Sequence, residues 1–482
     1  MTGQETTAHG EAAFEGAARS DAGPTTLAAV GDRLTNLLAA VRGLVRAVRE
    51  GADDRARAQR NAIVAFSVRV ISAGLLYAMQ IALARWMGTF EYGIYVFVWT
   101  WVLVLGGLSS LGLSMAAMRL VAEYKERADW QRLNGLTFGT RLVAFGVGTL
   151  VALAGAGAIW ALEPHIATYY VLPAYLALVC IPLYALGDVL DGIGRGQAWM
   201  GLALVPVYIL RPLVILAGMA SAYGLGLPMT ATTAAIAAIA ATWLSALLQL
   251  VLTEWRLSRQ SQAAGRQYDF ALWIKASAPL LIIYLCELLM QNADVLIISS
   301  ILSPTDVAIY FAAAKTMSLI MFVHYAVGSA VANRFSALNA RGDTSGLDAV
   351  VRDAVRWTFW PSLLAGIVIL ALGKPLLWLF GPQFVDGYPV MLILVFGFLA
   401  KAAIGPVETL LNMLGEQARC AGVLVFTAAL NVTLNLILVP QLGIMGGAVS
   451  TAAALVVSAV LLHILARQRL GLSIAIWSVR RL

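Results

Sequence analysis

Between residues 61 and 466 the chain alternates long apolar runs with short polar segments, and the runs are longer than the interior of a water-soluble domain requires. Twelve of them, 61–83, 92–114, 138–162, 168–187, 199–221, 229–252, 277–301, 306–332, 358–380, 388–412, 420–439 and 444–466, are long enough to cross a bilayer as helices, which takes about 20 residues each. Ahead of them the first residues are rich in Gly, Ala, Thr and acids and have no periodicity. From Leu34 the positions Leu34, Leu37, Leu38, Val41, Leu44, Val45 and Val48 recur at helical spacing among Arg42, Arg46 and Arg49. The pattern predicts a disordered cytoplasmic tail over 1–60 that carries a basic amphipathic helix over about 34–49, lying on a membrane surface, the alternative being a loosely helical basic linker. A basic segment followed by a short apolar one, the order of a secretory signal, is missing from this stretch.

The polar segments sort by charge. One side receives the arginines up to Arg60, then Arg119, Lys125, Arg127 and Arg132, then Arg195, then Arg256, Arg259, Arg266 and Lys275. It goes on with Arg334, Arg341, Arg352 and Arg356, then Arg419, and finally Arg467, Arg469, Arg480 and Arg481, while the other side receives Arg85 and Lys374. Lys and Arg collect on the cytoplasmic side of membrane proteins. The expectation is therefore a multi-pass protein of the inner membrane with both termini in the cytoplasm.

Composition narrows the function classes. Hydrophobic residues make up 60% of the chain and charged ones 12%, the latter about half of the ~25% usual in soluble domains, which leaves no room for a large soluble catalytic domain. The formal charge of +7 belongs to the basic loops and does not point to nucleic acid. Cys180, Cys286 and Cys420 are far apart in or beside apolar runs, and the four histidines have no metal-ligand spacing. Neither a disulfide framework nor a metal centre is expected. Without a phosphate-binding loop or nucleophile motif in a fitting context, the chain reads as neither enzyme nor cofactor protein.

Two segments repeat at about half the chain length. GTFEYGIYVF (Gly88–Phe97) follows the first span as SPTDVAIYFA (Ser303–Ala312) follows the seventh, and LDGIGRGQA (Leu190–Ala198) is placed like LNMLGEQA (Leu411–Ala418). The reading is an all-α integral membrane protein, twelve helices in two parallel six-helix lobes with pseudo-two-fold symmetry around a central cavity. The lobes cover 61–253 and 277–466, joined by a cytoplasmic linker over 254–276 and followed by a basic cytoplasmic tail over 467–482.

The stretch LARWMGTFEYGIYVFVWTWVLVLGGLSSLGLSMAAMRLVAEYKE (Leu83–Glu126) resembles the opening of the polysaccharide-biosynthesis exporters, the Wzx-type oligosaccharide flippases of the MOP superfamily. The link RFSALNARGDTSGLDAVVRDAVRW (Arg334–Trp357) is similar to the family's cytoplasmic link between spans eight and nine. The resemblance implies a flippase that moves an undecaprenyl-diphosphate-linked oligosaccharide from the inner to the outer leaflet by alternating access. It also implies membrane lipids, and a polysaccharide polymerase and co-polymerase, as partners.

Ionisable residues inside apolar spans are the sharpest signal, because each costs at least ~2.5 kcal/mol at the bilayer centre unless it faces a cavity or a partner. Arg211 and Lys401 fall near the middle of spans five and ten, and Arg69 and Lys315 about two turns from an end. These four are the expected lining of a cationic lumen that attracts the anionic headgroup, the alternative being ion pairs that hold helices together. Glu287 and Asp294 are candidates for a coupling ion, H⁺ or Na⁺, with the membrane potential as another source of drive, and His324 is a candidate titrating group. Asp188 and Asp191, beside Arg195, read as a solvated cytoplasmic turn, and Pro206 and Pro212 mark span five as bent. A drug or organic-cation antiporter of the same superfamily would place carboxylates in the lumen instead. A non-transporting scaffold of a polysaccharide assembly complex is the other alternative.

Overall fold

The computed structural model describes residues 54–260, 265–472 and 474–476. The amphipathic helix expected over about 34–49 lies outside the described residues, as do 261–264 of the expected linker and the end of the basic tail beyond Ile476. Among the described residues all regular structure is helical. The first half holds α1 (Asp54–Ser109), α2 (Leu113–Glu126), α3 (Trp130–Leu162), α4 (Thr168–Leu178), α5 (Ile181–Gly196), α6 (Met200–Val205), α7 (Arg211–Gly224) and α8 (Ala231–Gln260). The second holds α9 (Phe270–Ile301), α10 (Pro304–Ser318), α11 (Met321–Arg341), α12 (Thr344–Ala371), α13 (Gly373–Phe380), α14 (Tyr388–Ala402), α15 (Val407–Met413), α16 (Gln417–Leu442) and α17 (Ile444–Leu470).

Ten helical stretches are long and apolar enough to cross a membrane, eleven when the bent pair α4 and α5, which meet at 44°, is taken as one span. The difference from the twelve expected lies in α1. Its apolar part, Ser67–Ser109, has 43 residues, about 65 Å if straight and roughly twice the ~30 Å hydrocarbon thickness. Gly88 interrupts it with φ 75° and ψ 174°, a conformation that favours glycine because no Cβ is in the way. The Tyr92 hydroxyl donates to Gln80 Oε1 at 2.9 Å, although in a straight helix the two residues would be about 18 Å apart. The chain therefore folds back at Gly88.

In lipid, apolar contact alone gives helices little reason to associate, so close approach through small side chains matters more. α8 has that face: Ala231, Ala234, Ala235, Ala238, Ala241, Thr242, Ser245 and Ala246 are all buried, and α8 packs on α5 and α7. The two repeated segments are themselves in contact. A Cβ on Gly93 would overlap the Pro304 backbone, and Tyr92 meets Phe311 edge to face at 6.3 Å.

At this end, called the Gly88 end, further contacts tie the halves together. Arg85 Nε donates to the Leu379 carbonyl at 2.7 Å, its Nη2 donates to the Trp378 carbonyl, and the guanidinium lies 4.5 Å from the Trp378 ring centroid. Thr89 Oγ1 donates to Gln383 Oε1 at 2.7 Å. The Tyr77 and Thr316 hydroxyls are 3.0 Å apart. At the opposite end α9 reaches across to the first half: Gly112 lies against Ser277 and Leu281, and Trp273 is buried with residues of α2 and α3. α11 packs on α12 and α15.

Candidate functional site

Between the halves lies a cavity of about 610 Å³, walled by α1, the turn into α2, α5, and the α6–α7 segment of the first half and by α9, α10 and the start of α11 of the second. Two local features of the sequence build its charged wall. The first is α5, where Tyr184, Asp188, Asp191 and Arg195 all line the cavity; their spacing of four, three and four residues puts them on one helical face. The expected solvated turn at Asp188 and Asp191 is thus corrected. The apolar run ends near 187, but the helix continues to Gly196 and carries the polar stripe into the cavity. Asp191 is buried and paired with Arg195.

The second feature is the prolines of span five. Pro212 has no N–H, and its ring crowds the carbonyl four residues back. The helix answers with a wider turn over Pro206–Leu210, in which the Arg211 N–H bonds to the Pro206 carbonyl, five residues away. Single π turns of this kind re-aim side chains. Arg211 emerges on the cavity wall, buried, with its guanidinium 5.0 Å from the Tyr184 ring centroid.

The structure brings three of the four expected cations together: Arg69, Arg211 and Lys315 line the cavity. Arg69 lies 4.8 Å over Tyr208 and Lys315 5.2 Å over Phe311. Among the described residues no carboxylate oxygen lies within 4.0 Å of any of the three. Aromatic faces attract cations but leave their charge uncompensated. Arg195 makes a fourth cation of the lining, against the carboxylates Asp188, Asp191 and Glu287, so the wall is charged in both signs with a small positive surplus.

Lys401 lies elsewhere. Its ammonium is 3.0 Å from Glu408, an ion pair that straddles the break between α14 and α15, where Gly405 has φ 61° and Pro406 follows. His324 is buried, its Nδ1 without a hydrogen-bond partner among the described residues, and it does not line the cavity. Asp294 is buried too, and it anchors a polar chain across four helices of the second half. Tyr310 donates to its Oδ2, Tyr310 is in hydrogen-bonding reach of Thr451, Asn431 Nδ2 donates to Thr451 Oγ1 at 3.2 Å, and Asn435 Nδ2 donates to the Asn431 carbonyl at 2.9 Å. Asn435 Oδ1 is buried without a hydrogen-bond partner among the described residues. The signal for this chain was present as two asparagines four residues apart in an apolar run.

Residues 58–339 match the family model described as polysaccharide biosynthesis protein, and residues 279–437 match the MatE model. A curated relative, the probable low-salt glycan biosynthesis flippase Agl15 of Haloferax volcanii, is 25% identical over 169 residues, 35% of this chain. That match spans about a third, 36%, of the relative's length. An inward-facing multidrug resistance MATE family transporter of the MOP superfamily superimposes with a TM-score of 0.71 at 14% identity, covering 85% of this chain and 98% of that one. The lipid II flippase MurJ in an inward closed conformation gives 0.66 at 13% identity, over 84% and 87%. A MOP superfamily transporter from Pyrococcus furiosus, described as having a binding pocket of reverse polarity, gives 0.62 at 15% identity, over 88% and 96%. At these identities the likeness is one of fold.

Proposed function

The chain belongs to the polysaccharide biosynthesis protein family, and we propose that it is a flippase moving a polyprenyl-diphosphate-linked oligosaccharide from the cytoplasmic to the outer leaflet for surface polysaccharide assembly. The observation that carries this reading is the cavity between the halves with Arg69, Arg211 and Lys315 on its wall, none of them within 4.0 Å of a carboxylate oxygen among the described residues. An uncompensated cation in a low-dielectric site is stabilised by an anion that comes and goes. A diphosphate headgroup is such an anion, and the lipid tail remains in the bilayer.

Orientation follows from the basic loops. Arg195, the Arg256–Trp199 contact, the Arg266–Phe138 contact and the Arg132–Asp269 pair gather at the end opposite Gly88, whereas Arg85 and Lys374 lie at the Gly88 end. The Arg195 end faces the cytoplasm on this reading, the sealed Gly88 end faces outward, and the cavity is loaded from inside. No covalent chemistry is needed. The product on the outer leaflet is the substrate of a polymerase.

In a strain lacking the gene, complete lipid-linked repeat units should accumulate in the cytoplasmic leaflet while surface polymer disappears, read by lipid extraction and glycan staining. Finished units already on the outer leaflet would assign polymerisation or a scaffold instead. Asp188, Asp191 and Glu287 in the wall favour a second reading, antiport of organic cations. Unchanged glycan together with greater sensitivity to such cations would establish that one. The Asp191–Arg195 pair and the positive surplus weigh against it.

The Asp294 chain is the proposed seat of ion coupling, because a buried carboxylate linked through Tyr310, Thr451 and Asn431 to an open Asn435 oxygen can take up H⁺ or Na⁺. In proteoliposomes, Asp294→Asn should abolish the response of translocation to imposed H⁺ and Na⁺ gradients. An undiminished response would remove Asp294 from coupling.

A further inference from the structure

The cavity's cations stand at two depths. At the Arg195 end, Arg69 lies over Tyr208 and is close enough to act electrostatically on Asp191, the partner of Arg195. Deeper, Arg211 lies over Tyr184. Lys315 is deeper again, because its ring partner Phe311 packs on Tyr92 at the Gly88 end. Tyr184 and Asp191 mark the two depths on α5 and are about 10 Å apart along the helix axis. One diphosphate is too short to neutralise both.

The chemistry of the cargo assigns the depths. In a lipid-linked oligosaccharide the diphosphate joins directly to the lipid and the sugars lie beyond it. When the cavity is loaded from the Arg195 end, the diphosphate meets the first depth and the sugars reach the second. Among the described residues the cations of the second depth have no ion-pair partner: Asp188 acts on Arg211, and Asp294 on Lys315, only from beyond 4.0 Å. Arg211 is only 7% exposed, its Nε has no hydrogen-bond partner among the described residues, and neither it nor Lys315 has a carboxylate within 4.0 Å. Neutral hydroxyl groups would accept hydrogen bonds from these cations but leave their charge unpaired, whereas buried charges are stable when paired with an opposite charge. Trp99 and Tyr284 in the same wall offer faces on which sugar rings stack, and the Asp188 carboxylate offers an acceptor for hydroxyls.

Building on the flippase reading, we propose that the transported oligosaccharide is acidic: a carboxylated sugar, of the hexuronic acid class, is held by Arg211 and Lys315 while Arg69 engages the diphosphate.

The test uses the full chain in phosphatidylcholine nanodiscs, so that no lipid acid competes, and reads binding by quenching of tryptophan fluorescence. Four probes share one short prenyl tail: the prenol, the prenyl diphosphate, the prenyl-diphosphate-linked neutral disaccharide, and the same disaccharide ending in glucuronic acid. The acidic probe should bind at least about tenfold more tightly than the neutral one, the scale of one charge-assisted hydrogen bond. Arg211→Gln and Lys315→Gln should each weaken the acidic probe several-fold more than they weaken the prenyl diphosphate, and so reduce that preference, whereas Arg69→Gln should weaken all three diphosphate probes alike. Equal affinity of the unaltered protein for the neutral and acidic probes, both above the prenol, would overturn the inference and leave the flippase reading standing. No probe binding above the prenol would overturn that reading itself. The comparison within the unaltered protein decides even where a variant fails to fold, and a preference that survives both substitutions would overturn the assignment to Arg211 and Lys315.

Discussion

Arg211→Gln should cut translocation of the native cargo at least about a hundredfold and leave thermal stability unchanged or slightly higher, while Lys401→Gln should lower stability by about 3–5 kcal/mol. Both residues are cations in the interior of a membrane span, and their surroundings differ. Lys401 is 3.0 Å from Glu408, at the last turn of α14 and the first turn of α15, where each charge also suits the dipole of its own helix end. Removing the ammonium leaves a carboxylate in low dielectric with no compensation, and the break at Gly405 loses the link between its two ends. Arg211 has no carboxylate within 4.0 Å among the described residues, and Asp188, on which it acts from farther off, keeps its electrostatic interaction with Arg195. Removing Arg211 relieves a desolvation cost and forfeits a cation–π contact of about 1 kcal/mol, and glutamine keeps much of the packed volume. Thermal unfolding in detergent, set beside translocation in proteoliposomes, separates the two kinds of residue. If Arg211→Gln melts as early as Lys401→Gln, Arg211 is a structural group and the cavity loses its central cation.

The same contrast shows what the sequence could disclose. Depth within an apolar run made Arg69, Arg211, Lys315 and Lys401 stand out, since a charge in lipid needs an explanation wherever it sits. Depth does not say which way a helix is turned, and the partner that neutralises Lys401, Glu408, lies beyond a helix break that hydropathy does not register. The α5 stripe was hidden for a related reason. Spans were bounded by apolarity, and a helix that continues past its apolar run into a polar cavity wall shows only as a charged turn; the four-three-four spacing of Tyr184, Asp188, Asp191 and Arg195 was the readable clue. Hydropathy located the apolar stretches well, and the repeated segments at Gly88–Phe97 and Ser303–Ala312 turned out to touch. The fold-back at Gly88 falls between the apolar runs 61–83 and 92–114, and in the structure it rests on a single positive φ inside an otherwise continuous helical run.

That fold-back also determines where the halves are fastened, and fastening them permanently should stop transport. In the double variant Arg85→Cys and Leu379→Cys, a bis-methanethiosulfonate about as long as the arginine side chain it replaces should bring translocation to background, with recovery on reduction. Arg85 is exposed and reaches the carbonyls of Trp378 and Leu379 from the other half, so the two sites lie within reach of one reagent and open to it. Cys180, Cys286 and Cys420 are buried, which keeps the reagent on the introduced pair. Before the reagent is added the variant should still transport, because the Thr89–Gln383 and Tyr77–Thr316 hydrogen bonds and the Gly93–Pro304 contact hold the closed end together without Arg85. The locked protein should still bind a short prenyl diphosphate, since the Arg195 end is untouched and the cavity behind it is intact. Retained binding with lost translocation means that cargo leaves by separation of the halves at the Gly88 end. Translocation at the full rate in a fully cross-linked sample would mean that this end does not open, and alternating access between the halves would be the wrong mechanism for this fold.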